Sequence, residues 1–525
     1  MSLTKVSNPM INGGINSIVD FGATPVLADN KTAIDTTLAQ TGGVGTLPIG
    51  TFASTALTLP TGSTLKGAGA STSLAALVTV GSGATLKDMT VSGTGGIPIR
   101  ITLGAGNVVV SNVNVNTTQY STTFDLDGTD GLTIKDSNLV SPGYALLTNN
   151  YGLTTPSSSH RIRIQNNYLS SADADAIELN NPAANVVGNI VTGNFLETTS
   201  SSTAQSAGFA FGNANAQNWV FSSNVILDSR LEAIHIEDSQ RGGTVVANSV
   251  NTRAHGFLSY TPVSGADSGA IPIIGNNFWT PAKVTVPGGI ANSGIFLSYS
   301  SPYSPINGMQ LVGNIIEGFT NGIHLRPSLT AVPNIVQCNN NTLKNNTNPL
   351  YCTGGLAKNR QFGQNYVSGS THLAYADSSW SVGKITSPET PTGIFITAGG
   401  YGASMPPCID GFSYPIASFT TGAGIASSIP LFTSGANNRF FGRVRYEGRR
   451  SGIDDWVFAS ANVLWDGATC TVTNLIYRSN SIGAGTITAI TFATSAGNLI
   501  FTITTQNATQ YTYGWCEFDG EYYDA

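Results

Sequence analysis

The stretch DADAIELNN, residues 173–181, sets Asp173, Asp175 and Glu178 within six positions of a chain whose charged residues make up only 10%. Two more groups follow. LEAIHIED carries Glu232, His235 and Glu237, and RAHGFLSY carries Arg253, His255 and Tyr260. Paired carboxyl groups are what hydrolysis of a glycosidic bond requires: one protonates the leaving oxygen, and the other activates water or attacks directly. Imidazole, phenol and guanidinium groups suit the rival chemistry, β-elimination on a uronic acid. That reaction needs a base for the C5 proton and a cation beside the carboxylate. Asp173 and Asp175 lack the fuller oxygen cage that calcium needs, so neither a metal nor a cofactor is expected. Asp173 reads as a turn residue capping backbone amides. Against every catalytic assignment stands a plainer one, a solvated carboxylate on a surface strand.

These residues recur because the chain recurs. A short apolar stretch, an Asn and a further apolar residue or two repeat at Asn112, Asn138, Asn167, Asn194, Asn224, Asn248, Asn277, Asn314 and Asn341. A second short strand follows each of most of these, among them AIELN, GFAFG, AIHIED, GFLSY, GIFLSY and GIHLR. One stacked coil per repeat explains the pattern, with neighbouring coils paired edge to edge and stacked Asn side chains bonding along the stack. The interval from Asn277 to Asn314 holds an insertion, TPAKVTVPGGIANS, expected to form a loop on one face and shape a groove.

Strand alternation then sorts the candidates. With Ile177 and Leu179 matched to Phe209 and Phe211, and these to Ile234 and Ile236, an outward column reads Glu178, Ala210, His235, Leu258, Phe296 and His324. A parallel column reads Asn180, Gly212, Glu237, Tyr260, Ser298 and Arg326, and a third at the strand entrances reads Asp175, Ala207, Glu232 and His255. Aromatic, acidic and basic groups would share one exposed face, as sugar binding requires. Coils stack about 4.8 Å apart, so carboxylates two coils apart have backbones roughly 10 Å apart. Side chains can close that to the separation of about 6.5–9.5 Å that suits inversion. Glu178 and Glu232 are the leading pair, with Asp175, Glu237 and His235 next. His255, Tyr260, Arg253, Phe296 and Trp279 are candidates for binding the sugar.

Composition narrows the class. The 60 glycines, with Asn, Ser and Thr in place of charges, suit many short strands and tight turns. With 41% hydrophobic residues recurring in order, the chain is built to pack a core. A net charge of −6 gives no footprint for nucleic acid, and no apolar run has the length for membrane insertion. The start lacks the basic and apolar regions of a secretion signal. Five scattered cysteines suit synthesis in a reducing cytoplasm with mostly free thiols.

The two ends differ from the middle. Near the start, a strand, a helix capped at Asp29 or Asn30 with Ile34 and Leu38 on one face, and another strand are expected to close the open edge of the first coil. After about residue 380 the Asn repeat stops, and alternating strands from RFFGRVRYEGR to NLIFTITT suggest an antiparallel β-sandwich. The expected domains are 1–55, the strand–helix cap and start of the helix; 56–380, the β-helix proper; and 390–525, the sandwich, serving trimerisation or carbohydrate binding.

VSNPMINGGINSIVDFGA followed by ADNKTAIDTTLAQTGGVGTLPIGTF resembles the N-terminal signature of the pectate-lyase-like, right-handed parallel β-helix proteins of bacteriophage tails. In that family an hDFGA strand precedes an AI helix and a G-G-hhLPxGTY strand; here Phe52 stands where Tyr is usual, and the loop after DFGA is reduced to ATPVLADN. The resemblance covers roughly residues 1–360 and specifies fold more than chemistry. It implies an all-β, homotrimeric tailspike or tail fibre on the virion, joined to the phage tail or an adaptor protein. Such proteins bind a bacterial surface polysaccharide, capsule or O-antigen. Most are depolymerases that cleave it by hydrolysis, fewer act as lyases, and some only bind.

Overall fold

The computed structural model describes residues 16–39, 43–93, 96–117, 124–125, 129–147, 159–172, 174–180, 186–198, 211–214, 216–237, 242–261, 271–283, 285–286, 290–299, 307–326, 335–352, 360–362, 365–370, 375–376 and 385–386. Beyond these it describes 412–416, 419–421, 426–432, 439–450, 456–466, 469–479, 487–495, 498–505 and 509–523. Two compact units divide the chain, Met1–Gln310 and Leu311–Ala525.

The first unit is a parallel β-helix. Each central coil gives two short strands to one parallel sheet and a third to another. In one coil these are Val220–Ser222, Val225–Asp228 and Ile234–Glu237. A single residue in the left-handed region turns the chain between the first two strands: Asp136, Asn166, Gly193, Ser223, Ala247 or Gly275. The next residue points its side chain into the coil. From Asn167 to Asn276 that residue is always Asn, and all of them are buried. Asn194 donates its backbone N–H and its Nδ2 to Asn224 Oδ1 at 3.0 and 2.9 Å, and Asn224 repeats both bonds to Asn248. Asn167 and Asn248 extend the ladder to Asn194 and Asn276.

Three expected anchors move by one residue. Ser137 and Asn276 are the rungs, not Asn138 and Asn277, and Asn112 is itself the left-handed residue, with Val113 donating to Ser137 Oγ. Adjacent polar residues satisfy the same pattern, and the left-handed residue decides which one turns inward.

The cap is as expected. A helix runs Lys31–Ala39, with Ile34 and Leu38 buried and Asp29 accepting the amide of Lys31. The amides of Lys31 and Thr55 hold the Asp29 carboxyl below its usual range. The helix packs on the first coil where Gly45 faces Leu38 and Thr37.

In the second unit the parallel strands Ile315–Glu317, Thr342–Lys344 and Asn365–Ser368 stack in order, tied by Asn314, Asn341 and Asn365. The strands from Phe412 onward form antiparallel sheets. Arg439–Arg450 lies between Trp456–Trp465 and Thr509–Tyr523, and Val444, Ala461, Val463 and Trp465 are buried. Cys338 and Cys470, the cysteines with described side chains, are free. Burial pushes the Cys338 thiol up to about 12. Among the described residues no helix is long and apolar enough to cross a membrane.

Candidate functional site

The candidates sit on the second sheet of the first unit and on the corner that leads into it. That corner has its own ladder. Four residues after each Asn rung comes a buried hydroxyl: Ser171, Thr198, Thr252 and Thr280. In the Asn224 coil it is Ser229, five residues on, because the strand is bulged where Glu197 pairs with Asp228. These hydroxyls bind the carbonyls of the turn. Ser229 Oγ donates to Glu232 O at 2.9 Å, and Thr252 Oγ1 donates to Leu231 O at 2.9 Å and to His255 O at 3.2 Å. The ladder holds the corner residues in register from coil to coil. Its signal is present in the sequence as a Ser or Thr four places after Asn167, Asn194, Asn248 and Asn276, which the Asn repeat alone does not expose.

The third strands then align. Ile177 pairs with Phe211, Phe211 with Ile234, Ile234 with Phe257, and Phe257 with Ile295. The expected match of Ile177 to Phe209 is therefore two residues out. A slip of two preserves every inward and outward assignment, so alternation cannot detect it. Ala207, Phe209 and Ala210 lie outside the described residues. The outward column is Glu178, Gly212, His235, Leu258 and Phe296, and the next is Asn180, Ala214, Glu237, Tyr260 and Ser298. The slip matters chemically. Gly212, a residue without a side chain, holds the position between Glu178 and His235 in that column.

At the entrances, Asp175 and Glu232 stand two coils apart, and His255 and Ser293 follow on the next two. Asp173 lies outside the described residues. Glu178 and Glu232 are half-buried, whereas Asp175, His235, His255 and Phe296 are buried. The expected exposed face is thus largely closed. Side chains in neighbouring coils stand only about 4.8 Å apart and cover one another's flanks. The His255 and Phe296 rings, for example, lie 5.0 Å apart.

His255 is the most constrained group. It is 2% exposed, and its Nδ1 accepts the backbone N–H of Ser293 at 3.1 Å. A neutral imidazole with Nδ1 accepting carries its proton on Nε2. Burial, with the neighbouring His235 adding to it, lowers its pKa to about 4. Gly256 beside it tolerates no side chain, because a Cβ there would lie 2.5 Å from Gly294 O and 2.6 Å from Phe278 Cδ1.

The remaining candidates are placed less centrally. Arg253 forms a two-pronged ion pair with Asp228, Nε to Oδ1 at 3.0 Å and Nη2 to Oδ2. Trp279, 42% exposed, is on the first sheet at the end of Asn277–Trp279, just before the corner. Glu237 and Tyr260 lie on neighbouring strands at paired positions.

No family model matches the chain, and no curated protein does. Among solved structures, the tailspike gp61 of Pseudomonas phage phi297 is similar at 11% identity, covering 96% of this chain and 99% of that one, with a TM-score of 0.46. The tailspike gp49 of Acinetobacter baumannii bacteriophage Fri1, a capsular polysaccharide depolymerase, is 9% identical over 97% of this chain and 87% of that one, at 0.32. The Agl-KA catalytic domain is 12% identical over 71% of this chain and 68% of that one, at 0.46. None of these likenesses assigns a residue of this chain.

Proposed function

We propose that this chain is a tailspike depolymerase that binds a bacterial surface polysaccharide, capsule or O-antigen, and cleaves it by endo-acting glycoside hydrolysis. One observation carries the reading. Asp175 and Glu178 stand on one side of the Gly212 coil, and Glu232 and His235 on the other. Carboxyl groups two coil spacings apart have backbones roughly 10 Å apart, and side chains can bring them to the separation of about 6.5–9.5 Å that suits an inverting hydrolase. Glu178 and Glu232 act as the acid–base pair, with Asp175 and Glu237 beside them. Among the expected sugar-binding residues, the exposed Trp279 offers a flat surface to the polymer. Assembly as a homotrimer on the virion tail, after synthesis in the host cytoplasm, rests on the N-terminal DFGA signature.

Elimination finds less support. His255 has Nδ1 committed to Ser293 and so is no ready base, and the Arg253 guanidinium is held by Asp228. The test is product analysis on capsule or O-antigen. Hydrolysis gives new reducing ends without an ultraviolet-absorbing unsaturated uronate, elimination gives both, and a pure adhesin gives neither. Glu178→Gln and Glu232→Gln should each lower turnover by about a hundredfold or more while leaving the fold intact. Full activity in both variants overturns the assignment.

A further inference from the structure

The insertion after Trp279 is a small antiparallel hairpin. Thr285 pairs with Ala291, and Val286 with Ile290. It leaves the stack at the corner that carries Glu232 and His255 in earlier coils, one coil beyond His255 and two beyond Glu232. Two bonds close its base: Thr280 Oγ1 donates to Ala282 O at 3.0 Å, and Asn292 Nδ2 donates to the same carbonyl at 2.9 Å. Asn292 and Ser293 are fully buried, whereas Ala282, Lys283 and Thr285 are exposed. The chain returns to the stack at Ser293, and there its amide meets Nδ1 of His255. In the preceding coils the same corner is turned in a few residues, from Ser229 to Ile234 and from Thr252 to Phe257, with no such arm.

We infer that His255 is a positioning residue, the joint that fixes the inserted hairpin against the acid-bearing corner so that the hairpin forms one wall of the glycan-binding groove. This rests on the depolymerase reading for the groove but not for the joint. A ring packed against Phe296 and neutral at physiological pH, on a backbone hemmed in at Gly256 by Gly294 O and Phe278, offers a fixed acceptor to the backbone N–H where the hairpin rejoins the sheet. A protonated imidazole could not accept that bond. The exposed hairpin base, Ala282, Lys283 and Thr285, belongs to the coil two beyond Glu232, where a polymer longer than the cleaved linkage would pass.

The test compares His255→Asn with His255→Gln. An Asn carbonyl oxygen reaches about where Nδ1 stands and keeps an acceptor for Ser293. The longer Gln places its polar end near the Nε2 position and does not. Both keep a polar side chain, so general loss of structure is separated from loss of the bond. Hydrogen exchange of the hairpin amides should accelerate by about tenfold or more in His255→Gln and stay near wild type in His255→Asn. The KM for long polymer should rise about tenfold in the Gln variant, with kcat nearly unchanged, and the Asn variant should restore it. A merely structural role would lower both variants alike. Equal exchange in the two, or a loss of kcat with unchanged KM, overturns the inference. If neither variant nor wild type cleaves any glycan, the depolymerase reading fails, and the exchange measurement still decides whether His255 holds the hairpin.

Discussion

Two of the corners of each central coil are built differently. At the corner between the first and second strands, every rung from Asn167 to Asn276 is the same residue, and each carboxamide both receives and gives hydrogen bonds inside the stack. At the corner before the third strand only a hydroxyl recurs, and the entrance residues differ: Asp175, Glu232, His255 and Ser293. Both corners solve one problem, the orphaned amides and carbonyls of a bent backbone. The first does so with a side chain that occupies the space completely. The second does so with a small hydroxyl tucked under the turn, which leaves the neighbouring position free to vary. The candidate acid and base residues stand where the backbone is satisfied without using the residue next to it.

The sharpest way to break this contrast is Asn224→Ala. It removes the acceptor of the Asn194 amide and the donor to Val191 O, both buried, so stability should fall by about 4 kcal/mol in urea unfolding. A loss under about 1 kcal/mol would mean that the carboxamide ladder is ornament rather than support.

Next in size is the effect of pH through His255. Its folded pKa, about 4, lies below the ordinary 6.5, so the proton binds the unfolded chain more readily. Stability is unaffected above 6.5 and falls as the pH drops from there towards about 4, by roughly 3 kcal/mol in all. In His255→Asn this part of the pH dependence should vanish, and a stability curve of unchanged slope between those limits would contradict the buried, neutral imidazole. Gly256→Ala follows, expected to destabilise by about 2 kcal/mol through collision with Gly294 O and Phe278.

The Asn of the first corner stands out in the sequence, whereas the hydroxyl of the second recurs there without standing out, because Ser and Thr are common throughout the chain. A buried Asn in every coil is costly unless it is paired, so its recurrence announces a ladder. The misplaced rungs arise at Ser137–Asn138 and Asn276–Asn277, where two adjacent polar residues both fit and only the backbone angle chooses. The inward and outward faces of the third strands were legible because alternation is set by the pleat. The register of the Phe211 coil was not, because a shift by two residues leaves that alternation unchanged. The burial of His235 and His255 was hidden for a different reason. It depends on the coils to either side, as Phe296 packs against His255, and no local pattern encodes them.

The smallest effect tests the second corner directly. Thr252→Val keeps the shape of the side chain and removes the bonds from Oγ1 to Leu231 O and His255 O, at a loss of about 1 kcal/mol. If the hydroxyl only satisfies carbonyls, depolymerase activity should follow stability and change little. The two carbonyls it holds belong to His255 itself and to the residue before Glu232, however. Loosening them should let the Glu232 carboxylate drift relative to its partner Glu178. Activity at a temperature where the variant is fully folded should therefore fall about tenfold, more than stability explains, because a small misplacement of reacting groups is amplified in rate. The matched control is Asn248→Ser at the first corner of the same coil, which should lower stability by more and folded-state activity by less. The opposite ranking would mean that the two corners do not divide support from chemistry.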